Sequence, residues 1–137
     1  MAVLLDSSAV VAAADTADLN HAAAVGWFER EEEPLLIGAL SLAELDVVLQ
    51  HELGVAAVQA VLEAIRTGAL RVVPPTPADL ARASELLVEA AEHRPRLADV
   101  VLVATAERLR IRRVATFDRR PIAVLRPRHV RALQLEP

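Results

Sequence analysis

Four acidic residues stand where a carboxylate could do chemistry. Asp6 ends the apolar run Ala2-Val-Leu-Leu, and Glu44 lies in Leu42-Ala-Glu44-Leu. Asp99 opens the apolar stretch Asp99-Val-Val-Leu-Val-Ala, and Asp118 closes Val114-Ala-Thr116-Phe-Asp118. Each has an ordinary structural explanation. Asp6 and Asp99 could cap the helices that follow them, Glu44 could complete a capping box with Ser41, and Asp118 could be a turn residue. Together they predict more. Two carboxylates ~5 Å apart at an effective dielectric of ~20 repel by roughly 3 kcal/mol, so a converging set must hold protons or a cation. Oxygen-only donors point to Mg²⁺ or Mn²⁺ rather than Zn²⁺. Such an ion activates water, fixes a phosphate oxygen and neutralises developing charge, which are the needs of phosphodiester hydrolysis.

The elements that must position these acids follow from the hydrophobic pattern. Residues 2–6, 35–38, 70–73 and 114–117 read as short strands, with a weaker one at 132–135. Helices are expected over 7–14, 19–31, from Ser41 with Ser as cap and Glu44 in the first turn, over 55–67 closed by Gly68, from Thr76-Pro77 to about 92, and over 98–110. The last is almost wholly apolar through Ala106 and so is expected to be central. Strands alternating with helices predict a single α/β domain over residues 1–137 with a mostly parallel sheet. In such sheets, ligands gather at the carboxyl ends of strands and the facing helix N-termini. All four acids fall there.

Composition removes several alternatives. Of the 137 residues, 54% are hydrophobic and none is cysteine, which excludes disorder, thiolate metal sites and cysteine nucleophiles. All 15 basic residues are arginine, so neither a phosphate-binding loop ending Gly-Lys-Ser/Thr nor a Schiff-base lysine can be built. A doubly wound phosphatase would want a second Asp two residues after Asp6, where Ser8 stands. His21, His51, His93 and His129 lack metal-ligand or triad spacing. Asp46, two residues past Glu44, points to another helix face. No apolar run is long enough to span a bilayer and no secretory pattern opens the chain, so a cytoplasmic protein without membrane contact is expected. The net charge of −4 divides into −11 over residues 1–107 and +7 over residues 108–137. The basic segment is either a solvated, internally paired face or a rim that attracts phosphate.

These blocks, in this order and at these separations, resemble the PIN-domain nucleases, and the short chain is similar to VapC toxins of VapBC toxin–antitoxin pairs. The resemblance implies a three-layer α/β/α sandwich and a metal-dependent endoribonuclease. By it, Asp6, Asp99 and Asp118 would ligate Mg²⁺ or Mn²⁺, and Glu44 would hold a metal water or a second ion. Ser7 or Ser8, and Thr116, match hydroxyl positions that orient the carboxylates. Arg119-Arg120-Pro121 departs from the family where many members carry an aromatic. The implied partners are an RNA substrate, a cognate antitoxin and a second copy of the chain in a homodimer. The antitoxin would lay an amphipathic helix into an apolar groove among the N-terminal helices, with a basic residue blocking the acidic pocket. The alternative is a catalytically silent domain of the same fold that binds RNA or protein.

Overall fold

Strand β1 (Val3–Leu5) is fully buried, as its unbroken apolar sequence requires of a strand covered on both faces. In the computed structural model, which describes residues 1–137, β1 lies at the centre of a five-stranded sheet. It pairs with β2 (Leu35–Gly38) on one side and β4 (Arg113–Ala115) on the other, so that Leu5 is level with both Ile37 and Ala115. β3 (Leu70–Val73) adds to β2, and β5 (Gln134–Glu136) to β4. The order is β3-β2-β1-β4-β5 and every pairing is parallel.

The helices are α1 (Ser7–Ala14), α2 (His21–Arg30), α3 (Ala39–Glu52), α4 (Val55–Thr67), α5 (Pro77–Glu89), α6 (Leu97–Leu109) and α7 (Arg119–Ala123). Strand alternation assigns them to two layers. Val3, Leu5, Ile37 and Ala115 face Ala9 of α1, Trp27 of α2, and Leu45 and Leu49 of α3. Leu4 and Val114 face Leu86 of α5, Val100 and Val103 of α6, and Ile122 of α7. This is the expected α/β/α sandwich, with a core on each side of the sheet. Each leucine so buried contributes roughly 1.5–3 kcal/mol. Helix α6 is buried from Asp99 through Ala106, as an all-round apolar helix must be.

Several boundaries differ from expectation. Helix α3 starts at Ala39 with Gly38 as its cap and no side-chain capping bond. β2 runs straight into it, so Ser41 is buried inside the helix and Glu44 falls in the second turn. A reciprocal capping box does exist at α5, where Thr76 Oγ1 accepts from the Asp79 N–H and Asp79 accepts from the Thr76 N–H. α5 ends at Glu89 and a 3₁₀ turn covers Ala91–His93. β4 ends at Ala115, which leaves Thr116–Asp118 in a turn, and the short α7 was not foreseen.

The basic C-terminal segment is in part an internal ion-pair network. Arg108 bonds Asp79 at 2.9 Å, and Arg128 bonds Glu85 at 2.5 Å. Arg113 joins two elements, donating to Glu31 at 2.5 Å and to Glu136 at 2.7 Å, while Trp27 Nε1 also donates to Glu136. The hydrogen bonds from Arg113 hold both Glu31 and Glu136 below the ordinary glutamate value of 4.5. A lowered folded-state pKa stabilises above the unfolded value, and that contribution is lost as pH falls through the folded one. Arg113→Met should therefore cost about 1.5–3 kcal/mol at pH 7, with the cost shrinking below about pH 4 as the two glutamates protonate. Urea unfolding followed by Trp27 fluorescence checks both. A cost that stays constant down to pH 3 would contradict this account.

Candidate active site

Because β1 and β4 are adjacent and parallel, the chain leaves both strands at the same sheet edge. Asp6 follows Leu5, and its N–H donates to the Ala115 carbonyl at 2.9 Å. Asp6 occupies the cap position of α1, yet its side chain makes no capping bond. Its Oδ2 instead accepts from Ser8 Oγ at 2.6 Å and from Thr116 Oγ1 at 2.8 Å. Each hydroxyl has one proton, so both are committed to Asp6, and their oxygens accept from the turn after β4. The Phe117 N–H reaches Ser8 Oγ, and the Asp118 N–H reaches Thr116 Oγ1, both at 3.0 Å. Two hydroxyls thus lock Asp6 to the turn that carries Asp118.

Helices α3 and α6 bring the other two acids. Glu44 Oε1 accepts from Ser7 Oγ at 3.1 Å. Asp99, in the first turn of α6, has a side chain only 3% exposed. Arg96, which caps α6 through its backbone, reaches three of the four. Its Nε lies 3.4 Å from Asp99 Oδ2, and its Nη2 lies 3.6 Å from Glu44 Oε1 and 3.7 Å from Asp118 Oδ2. Burial pushes the Asp99 carboxyl up from its usual range. The Arg96 charge opposes that rise, and the neighbouring Asp6 and Glu44 charges add to it.

Asp6, Glu44 and Asp118 border one cavity of about 360 Å³, together with Ser7, Arg96 and Asp18. All four predicted acids are therefore brought to one place, three on the cavity wall and Asp99 through Arg96. No three of them stand at the spacing of a ready-made metal shell; their separations are those of carboxylates bridged by a guanidinium. The donor set is nonetheless all oxygen, and Asp6 Oδ1, Glu44 Oε2 and Asp118 Oδ1 have no protein donor. Those are the atoms that could hold a hard cation.

Sequence reasoning placed Ser7 and Thr116 as supports and weighed Ser7 equally with Ser8. The structure divides the work, Ser8 holding Asp6 and Ser7 holding Glu44. It missed Arg96, although the three-residue spacing to Asp99 could have shown it. Asp18 falls on no motif position, and nothing in the sequence shows the α1–α2 loop folding back onto the cavity. Its Oδ1 also accepts from the Asn20 N–H.

Fold and site together define an α/β/α domain with a carboxylate-rich cavity at the carboxyl edge of a parallel sheet. Residues 3–126 match the PIN domain. The chain is 31% identical over 125 residues to ribonuclease VapC26 of Mycobacterium tuberculosis, covering 91% of this chain and 93% of the relative. Its fold is shared with Mycobacterium tuberculosis VapC20, a sarcin–ricin loop cleaving toxin (TM-score 0.80, 24% identity, 94% of this chain and 98% of that one). VapBC2 from Rickettsia felis, solved with a promoter DNA fragment, also shares it (TM-score 0.69, 15% identity, 99% and 98%). The chain belongs to the PIN-domain family.

Replacing Arg96 by Gln leaves Glu44, Asp99 and Asp118 without their bridging charge. The melting temperature of Arg96→Gln should fall by about 2–4 °C without added metal. Millimolar Mn²⁺ should then raise it more than it raises the wild type. An equal Mn²⁺ response in both proteins would contradict the bridging role.

Proposed function

We propose that the chain is a Mg²⁺- or Mn²⁺-dependent endoribonuclease of the cytoplasm, the toxin half of a toxin–antitoxin pair. The observation that carries this reading is the convergence of Asp6, Glu44 and Asp118 on one cavity, with Asp99 joined to Glu44 and Asp118 through Arg96. The relationship to ribonuclease VapC26 supports RNA as the substrate. Asp6, Asp99 and Asp118 would hold the cation and Glu44 would hold it through water or take a second ion. When bound, the cation supplies Lewis acidity and charge neutralisation for phosphodiester hydrolysis. Ser8 and Thr116 keep Asp6 in one rotamer with Oδ1 free, and Ser7 does the same for Glu44 with Oε2 free. Glu44 Oε2 is then the atom able to take a proton from the attacking water. Trp27 is buried and bonded to Glu136, and among the aromatic residues only Phe117 borders the cavity. RNA recognition would therefore rest on phosphate contacts and shape more than on base stacking.

The antitoxin and a second copy of the chain have surfaces to use. Helix α4 buries no residue completely, although Val58, Val61, Leu62 and Ile65 lie along it. A groove of about 310 Å³ among α1, α2 and α4 is lined wholly by apolar side chains, Val10, Phe28 and Val61 among them. An amphipathic antitoxin helix fits such a groove, and the remaining apolar surface of α3 and α4 would serve a homodimer. No helix of the chain is long and apolar enough to cross a membrane.

A second reading, the silent RNA- or protein-binding domain, is favoured by Arg96 standing among the carboxylates. Titration calorimetry with Mn²⁺ separates the two. The nuclease reading expects wild-type binding that Asp6→Asn or Asp99→Asn abolishes, with RNA cleavage falling by more than about 100-fold in either variant. A folded wild type that binds no Mn²⁺ and leaves RNA intact would establish the silent domain instead.

A further inference from the structure

A second cavity, of about 420 Å³, lies against the first, between the 3₁₀ turn after α5, the start of α6, and α7. Its character is opposite. Three guanidinium groups border it, those of Arg94, Arg96 and Arg120, with His93 beside them, against Glu92 and Asp99. Arg82, Arg108, Arg113 and Arg128 are ion-paired within the fold, and of the arginines without an ion pair, Arg94 and Arg120 are the two that border this cavity beside the carboxylates. Arg94 and Arg120 make no ion pair and no side-chain hydrogen bond, and both are exposed. Arg94 is also held in the left-handed region (φ 49°) directly before Pro95, where a residue seldom sits and which costs backbone free energy. Its N–H donates to the Ala91 carbonyl at 3.1 Å and closes the 3₁₀ turn, which sets Arg94 on the cavity wall.

We propose that this second cavity is a subsite for a backbone phosphate of the RNA strand, next to the phosphate that is cut, held by Arg94, Arg96 and Arg120. The inference rests on the ribonuclease reading for the identity of the polyanion. A guanidinium fork matches two phosphate oxygens at once, and Arg94 and Arg120 bring two such forks with no internal partner, beside Arg96, which Asp99 pairs within the fold. The carboxylate cavity repels a phosphate unless a cation is present, whereas the neighbouring cavity needs none. A strand crossing both is anchored by the second while the first positions the reacting phosphate. Because Arg96 borders both cavities, a phosphate in one competes with Glu44 and Asp118 of the other for the same guanidinium.

The test measures binding of a fluorescein-labelled single-stranded uridine 12-mer by anisotropy, in EDTA to prevent cleavage, from 50 to 200 mM salt. Arg94→Gln and Arg120→Gln should each bind several-fold more weakly and lower the slope of log K against log salt by about 0.7, the value for one phosphate contact to a single strand. Arg110→Gln, at the far end of α6, should leave the slope unchanged. Circular dichroism confirms that all three variants are folded. Wild-type slopes in both cavity variants, an equal loss in Arg110→Gln, or no RNA binding by the wild type would overturn the subsite. Digestion of total RNA by the wild type with Mn²⁺ is followed in parallel. Cleavage with unchanged slopes refutes the subsite alone, and lost slopes without cleavage refute the nuclease reading alone.

Discussion

Like-charge repulsion among Asp6, Glu44, Asp99 and Asp118 is the constraint around which this domain is arranged. A carboxylate pair ~5 Å apart costs roughly 3 kcal/mol at an effective dielectric of ~20, while the net stability of a domain is about 5–15 kcal/mol. The cost shows at Asp99, whose carboxyl is pushed up by burial and by the neighbouring Asp6 and Glu44 charges. Arg96 meets the requirement within the chain, touching three of the four acids at 3.4–3.7 Å. Burial works against the charge on Arg96, but Asp99, Glu44 and Asp118 together raise its pKa, so the guanidinium and the acids sustain one another.

The rest of the fold supplies the rigidity that this arrangement needs. β1 is sealed on both faces, and α6 is buried from Asp99 through Ala106, so Asp6 and Asp99 each emerge from an immobile element. Two hydroxyls then tie Asp6 to the Asp118 turn, and a third restrains Glu44. Supporting hydrogen bonds of this kind set the orientation and basicity of ligating carboxylates. Away from the site, the ion pairs of Arg82, Arg108 and Arg113 close the opposite parts of the molecule. Arg94 and Arg120 stay unpaired beside the carboxylate site.

Much of this was legible in the sequence because the signals are local. The apolar runs gave β1, β2 and β3 to within a residue or two, and Gly68 and Thr76-Pro77 marked helix ends correctly. The four acids could be placed because strand ends and helix starts in a parallel sheet share one edge. The failures are equally physical. Ser41 and Glu44 have capping-box spacing, but β2 feeds directly into α3, and the cap moved to Gly38. α7 is too short to leave a periodic pattern. Asp18 reaches the site only through tertiary placement. The division of the C-terminal arginines into paired and unpaired groups depends on which acids fold against them, and charge composition has no access to that.

The account requires the carboxylates and Arg96 to compete for a shared space, and a crystal soaked in Mn²⁺ shows that competition directly. Anomalous difference density should contain a peak touching Asp6, Asp99 and Asp118, with the Arg96 side chain displaced from its bridging position. Density that leaves the Arg96 bridge in place, with manganese absent or bound elsewhere, would contradict it.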